Sequence, residues 1–339
     1  MQKIYDKLHH QQHLTYEEMT QLAQLLFNEE TPEEVIEKLL LALAAKGETA
    51  HEIAALVAVM KSYANKIPHL EEVDYIDNCG TGGDGLKSFN ISTASAFVLA
   101  AAGLKVAKHG NRKVSSSSGS TDILEELGIM STQSVEELSD SLKKDNIAFI
   151  FAPTIHPKLK RIGKIRAKIA KPTIFNLVGP LANPIDLAYQ LTGINRPEFL
   201  MDYATVMQKI GRKRAVVVSG EQGMDEASLA GVNHCVLMDG QELIPFTITA
   251  QDVGLASQPI EAVTGGTPKQ NAAILIRILQ GHRDAYFDTV AFNAGLALFA
   301  ANKVSTVQQG VKLAIDTLLS GKALRKLQAV STTMKMEVL

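Results

Sequence analysis

Along the first 65 or so residues, apolar side chains return every three or four positions. Met19, Leu22 and Leu26 form one series. Val35, Ile36, Leu39, Leu40 and Leu43 form a second, and Ile53, Leu56, Val57 and Met60 a third. This spacing predicts amphipathic helices. Their starts are marked as well. Thr15 with Glu18, Thr31 with Glu34 and Thr49 with Glu52 each fit a capping box, in which two side chains satisfy two free backbone N–H groups. Pro32 fits a first helical position, where its missing N–H leaves no bond unmade. Gly47 ends one helix and Pro68 closes the series.

After Pro68 the pattern changes to short apolar runs that suit buried strands: 73–76, 104–107, 147–151, 215–218 and 234–238. Helix-like segments alternate with them, among them 93–102 and 121–127. Such alternation predicts an α/β sheet, largely parallel and covered on both faces. Residues 158–182 interrupt it with a basic, helix-like texture before the strand pattern resumes near Tyr189. A capped helix over 267–280 and another over 288–301 follow.

Composition narrows the class. The chain has 339 residues, 46% hydrophobic and 21% charged, with 34 Lys and Arg against 36 Asp and Glu. Length allows about two domains, and the apolar fraction excludes wholesale disorder. A net charge of −2 argues against a basic surface spread over the molecule for nucleic acid. Cys79 and Cys235 make neither a disulfide framework nor a zinc site. Residues 1–12 lack the apolar core of a secretory signal, and no apolar run reaches the ~18 residues of a membrane span. The expectation is a soluble cytoplasmic protein.

Seven of the 24 glycines fall between Asn78 and Ser120, where an even spread would put about three. The densest part is Asn78-Cys79-Gly80-Thr81-Gly82-Gly83-Asp84, directly after the first strand. Asn90-Ile91-Ser92-Thr93 follows and opens an apolar helix. Glycines let backbone approach a phosphate, and a helix start adds free N–H groups and the positive end of the dipole. The loop is neither a Walker A motif nor GxGxxG, which disfavours a P-loop nucleotidase and a Rossmann dehydrogenase. Lys108-His109-Gly110-Asn111-Arg112, leaving the second strand, and Ser115-Ser116-Ser117-Ser118-Gly119-Ser120 make a second anion cradle. Ligands of open α/β sheets sit beyond the carboxyl ends of strands, so the two loops can face one pocket. Asp225-Glu226, after a Gly-flanked turn at another strand end, are suited to hold Mg²⁺. His156 and Arg166 lie beyond the strand ending at Phe151. The Gly/Pro-rich turn 175–184 reads as a hinge between the two units.

In their order and spacing, the GTGGD, NIST, KHGNR, SSxSGS, HP, FNxxGPLxNP and DE segments, with Arg166, resemble the anthranilate phosphoribosyltransferases across essentially the whole chain. The resemblance implies a small N-terminal helical domain, residues 1–70 with about 158–188. It implies a large α/β domain, 71–157 and 189–339, with a central mostly parallel sheet of the nucleoside phosphorylase/phosphoribosyltransferase type. The implied ligands of phosphoribosyl pyrophosphate (PRPP) are Gly80, Gly83, Asp84, Ser88, Asn90, Ile91, Ser92, Thr93, Lys108, Asn111, Ser115, Ser116 and Ser120. Gly80, His109, Asn111, His156 and Arg166 are implied for anthranilate, and Ser92, Asp225 and Glu226 for Mg²⁺. No acid or base is implied; Lys108, His109 and Arg166 are expected to position substrates. The resemblance also suggests a homodimer through the N-terminal helices, with no nucleic-acid or membrane partner. Two departures stand out: Ser117 where many relatives carry a basic residue, and Pro172 where an Arg is common. Alternatives at this point are a pyrimidine nucleoside phosphorylase-like enzyme and a non-catalytic relative that binds nucleic acid.

Overall fold

The computed structural model describes residues 2–111, 119–130 and 133–333. Helices α1 (Gln2–His9), α2 (Tyr16–Leu26), α3 (Glu33–Lys46) and α4 (Ala50–Ser62) open the chain. Thr15 and Thr49 form the expected capping boxes with Glu18 and Glu52. Thr31 does not. Pro32 is itself the N-cap of α3, and the Thr31 hydroxyl donates to the Leu25 carbonyl at 2.8 Å, closing the turn between α2 and α3. A local side-chain-to-backbone bond has displaced the cap.

Then follow β1 (Tyr75–Asp77), α5 (Ile91–Ala101), β2 (Lys105–Gly110), α6 (Ser120–Glu126), α7 (Val135–Asp145) and β3 (Ile147–Phe151). Next are α8 (Ala152–Ile155), α9 (Leu159–Ile169), α10 (Phe175–Val178), β4 (Leu187–Gly193), α11 (Leu200–Lys209) and β5 (Arg214–Ser219). The chain continues through β6 (Asn233–Asp239), β7 (Glu242–Ile248), α12 (Pro268–Leu279), α13 (Ala285–Ala300), α14 (Val307–Leu319) and α15 (Lys322–Val330). The strands form one sheet in the order β3-β2-β1-β4-β5-β6-β7. From β3 to β5 all pairings are parallel, and β6 and β7 join antiparallel. The order reverses direction between β1 and β4, which makes their carboxyl ends the natural ligand crevice. Strand β7 was not predicted. It is an edge strand with Pro245 inside it and only Ile248 buried, so it carries no burial signal.

Alternation along β5 separates two cores. Val216 and Val218 pack with α5, α13 and α14, including Phe97, Phe292 and Val311. Ala215 and Val217 face the other way, into a cluster with α11 and the N-terminal helices. That second cluster joins Leu22, Leu39 and Ile53 to Ile162, Ile165 and Phe175, so the segment that interrupts the strand pattern packs with the first helices. No helix among the described residues is long and apolar enough to cross a membrane.

Candidate active site

The glycine loop leaves β1 and turns back across the sheet. Gly82, Gly83 and Gly85 have φ of 71°, 85° and 76°, the left-handed region that glycine enters without strain. The N–H groups of Thr81 and Gly82 reach other strand ends rather than open space. Thr81 N–H donates to the Gly193 carbonyl at 2.9 Å, and Gly82 N–H donates to Asp225 Oδ2 at 2.6 Å. Gly193, at the end of β4, has a matching constraint, since any side chain there would run into the Asp225 backbone carbonyl. The loop after β1, the end of β4 and the turn after β5 are thus locked around one cleft. Its lining includes Asn78, Gly80, Ser92, Gly193, Asp225, Glu226 and Asn293.

Ligand oxygens of Asp84, Asp225 and Glu226 lie within 4.8 Å of one another. Burial, and then repulsion from Asp84, pushes the Asp225 carboxyl well above its ordinary range; burial and Asp225 do the same to Glu226. Glu226 Oε2 is buried with no partner among the described residues. Two buried acids that resist ionising, with Asp84 beside them and one oxygen of Glu226 unsatisfied, make a site suited to a hard cation. Asp84, expected on the PRPP side, therefore stands with the acidic pair. Asn293 of α13 was missed by sequence reasoning. Its side chain accepts from Ala227 N–H and donates to the Ala227 carbonyl, both at 2.9 Å, clamping the residue after Glu226. An Asn inside a helix that is apolar all round was the available signal.

Helix α5 supplies the opposite wall. Lys108, buried, donates to Ser92 Oγ at 3.2 Å, and Asn78 Nδ2 donates to the Ser92 carbonyl at 2.9 Å. Thr93 is buried with its hydroxyl unpartnered among the described residues. Ile91 is in the core, and its N–H donates to the Phe89 carbonyl. Asn90 does not cap the helix with its side chain; Asn90 Oδ1 accepts from Asn271. Ser88 bridges to Thr264, so residues 88–90 are backed by the segment before α12. Ser120 Oγ donates to the Asn111 carbonyl at 3.1 Å, tying the start of α6 to the end of β2. Arg112, Ser115, Ser116 and Ser117 lie outside the described residues.

Of the residues expected on the anthranilate side, His109, His156 and Arg166 contact one strap, 176–183, whereas Gly80 lines the cleft beside Asp225 and Asn111 is tied to Ser120. Arg166 Nη2 donates to Asn176 Oδ1 at 3.0 Å, and the guanidinium stands 5.7 Å over the Phe175 ring. His109 Nδ1 meets the Gly179 carbonyl at 3.1 Å and His156 Nε2 meets the Ala182 carbonyl at 2.8 Å. Their rings are 5.6 Å apart, edge to face. Burial pulls both imidazoles down to about 4, so both are neutral near pH 7. Each then donates its N–H to the facing carbonyl, and neither is a cation for a substrate carboxylate. Tyr203 donates to the Leu177 carbonyl and Gln190 to the Pro180 carbonyl, at 2.8 and 2.7 Å. The expected hinge is thus pinned at successive carbonyls by buried side chains.

Comparison with known proteins agrees with this geometry. Residues 2–64 match the helical bundle domain of a glycosyl transferase family, and 72–324 match the a/b domain of a glycosyl transferase family. A protein of Exiguobacterium sibiricum named anthranilate phosphoribosyltransferase is 50% identical over 339 residues, covering 100% of both chains. One of Listeria monocytogenes with the same name is 50% identical over 335 residues, 99% of this chain and 97% of that one. The crystal structure of anthranilate phosphoribosyltransferase from Thermus thermophilus superposes with a TM-score of 0.91 at 34% identity, over 98% of this chain and 99% of that one. The Saccharomyces cerevisiae enzyme in complex with PRPP and Mg shares the fold, at a TM-score of 0.84 and 24% identity, over 95% and 92% of the two chains. With half its residues identical over the full length, and the same architecture around the strand-end cleft, the chain belongs to the anthranilate phosphoribosyltransferase family.

Proposed function

We propose that this protein transfers the phosphoribosyl group of PRPP to the amine of anthranilate, giving N-(5-phosphoribosyl)anthranilate and pyrophosphate in L-tryptophan biosynthesis. One observation carries the reading. The glycine loop, the start of α5, Lys108 and an acidic trio meet at one cleft, at the point where the strand order reverses.

The acidic trio fits Mg²⁺: Asp225 and Glu226, with Asp84 and the hydroxyl of Ser92, would hold it. When bound, the ion supplies neutralisation of pyrophosphate charge. The protein's own groups do the rest. Lys108, held against Ser92, brings a buried positive charge to the leaving oxygens, where it stabilises charge that grows as the C1–O bond breaks. The aniline nitrogen is neutral at pH 7 and attacks C1 with its lone pair. The anilinium so formed is acidic enough to lose its proton to water, so no dedicated base is needed. Arg166 takes the anthranilate carboxylate, since a guanidinium binds it bidentately and the two histidines are neutral. Gly80 and Asn111 complete the acceptor side; Gly83, Ser88, Asn90, Thr93 and Ser120 surround the donor. Positioning then supplies much of the rate.

The same proposal covers the larger scale. Residues 1–70, with about 158–188, act as one helical unit against 71–157 and 189–339; Ile162 and Phe175 share the core of Leu22 and Ile53, which also packs on α11 and one face of β5. The chain works as a homodimer through the N-terminal helices, where Tyr5 and Tyr16 are 36% and 41% exposed. Light scattering is expected to give twice the 36.6 kDa chain mass, and Tyr16→Glu to shift it toward monomer. A monomeric wild type contradicts the dimer. For the reaction itself, anthranilate fluorescence should fall only when protein, PRPP and Mg²⁺ are all present. Loss that persists without PRPP would refute the assignment.

A further inference from the structure

Asp77, the last residue of β1, is fully buried, and its carboxylate is in contact with no cation among the described residues. Its two oxygens instead accept from three separate segments. Oδ1 takes the Asn78 N–H at 2.7 Å. Oδ2 takes Cys79 Sγ at 3.4 Å, the His109 N–H at 3.2 Å and Asn183 Nδ2 at 3.0 Å. Asn183, equally buried, is saturated in turn: Nδ2 also donates to the Ala107 carbonyl at 2.8 Å, and Oδ1 accepts from Ile185 N–H at 3.0 Å. Burial pushes the Asp77 carboxyl up, while Lys108 nearby opposes that shift. A fold needing only a filled space here would place an apolar side chain, because burying a carboxylate is costly unless its hydrogen bonds are made. What those bonds achieve is registration. They join the start of the glycine loop, the backbone of His109 and the strap that carries Gly179 and Ala182.

We propose that Asp77 and Asn183 are positioning residues that set the anthranilate-side strap relative to the PRPP loop. Neither touches substrate. The proposal rests on the phosphoribosyl-transfer reading above. Removing the Asn183 amide frees the strap from β1 while leaving the glycine loop attached to Asp77 through Asn78 and Cys79. The strap carries the carbonyls that orient His109 and His156 and the Asn176 that orients Arg166, so the acceptor side alone loosens.

The test is steady-state kinetics of Asn183→Ala, with Val311→Ala as a control that opens a cavity in the core under α5, α13 and α14, to which neither Asp77 nor Asn183 belongs. Asn183→Ala removes all three side-chain hydrogen bonds of this residue and is expected to raise the anthranilate KM about tenfold. The PRPP KM should stay within about twofold, and Val311→Ala should lower Tm while leaving both KM values unchanged. If Asn183→Ala is insoluble, Asn183→Ser keeps one donor and is expected to show the same split at about threefold. Both KM values rising together, or neither moving, in the soluble variant overturns the proposal. Failure of both variants to fold also overturns it, since the bond would then serve folding rather than position. A wild type that leaves anthranilate unchanged in the same assay refutes the transfer reading, and this proposal with it. An active wild type without the split refutes this proposal alone.

Discussion

Asp225→Asn and Glu226→Gln should each cut Mg²⁺-dependent transfer by more than about 100-fold, the usual scale for losing a group that stabilises transition-state charge. The amide at 225 keeps an oxygen able to accept from Gly82 N–H, so the loop stays closed and only the charge is removed. Stability should move the other way. Burial and mutual repulsion raise the proton affinity of Asp225 and Glu226, so the ionised pair destabilises the metal-free fold at neutral pH. Removing one charge should leave the metal-free Tm at or above wild type, the trade between stability and activity expected of a strained site. Mn²⁺ binding followed by electron paramagnetic resonance should weaken in both variants. Near-wild-type turnover at limiting Mg²⁺ would remove the acidic pair from the site.

Arg166→Ala should raise the anthranilate KM by about 10- to 100-fold, as expected for losing hydrogen bonds to a charged group worth ~1.5–3 kcal/mol. The PRPP KM should change by no more than about threefold. The expectation follows from the neighbours: His109 and His156 are neutral, with their N–H groups held by strap carbonyls, so no second cation among them takes over the carboxylate. Arg166→Lys should recover only part of the loss, because a lysine cannot make the paired bonds and loses the stacking on Phe175. Equal effects on both KM values would dissolve the division between donor and acceptor sides.

The sequence carried the dense features well. Residues 78–84, 90–93 and 108–111, and the Asp225-Glu226 pair, concentrate glycines and polar groups at strand ends, and of these Asn78, Gly80, Ser92, Lys108, Asp225 and Glu226 meet at one cleft. Five of the parallel or central strands were visible as apolar runs. Lone buried polar residues were not visible. Asp77 and Asn183 are 106 positions apart, and Asn293 is 66 from the Ala227 it clamps, so no local pattern joins them. Asp77 and Asn183 each look in sequence like one polar residue at the edge of an apolar run, and Asn293 like one inside an apolar helix. The turn 175–184 read as a hinge because its glycine and two prolines are local, whereas the side chains that pin it come from β2, β4, α11 and the segment after α8. Strand β7 escaped because exposure along an edge leaves no period-two burial to detect. The Thr31 cap failed because its hydroxyl has a nearer acceptor in Leu25.

The most direct measurement of the central claim is the stoichiometry of the wild-type reaction. With PRPP, anthranilate and Mg²⁺, one pyrophosphate should appear for each anthranilate consumed, and the product mass should equal that of the phosphoribosyl adduct. Pyrophosphate released without loss of anthranilate, or phosphorolysis of thymidine in place of amine transfer, would contradict it.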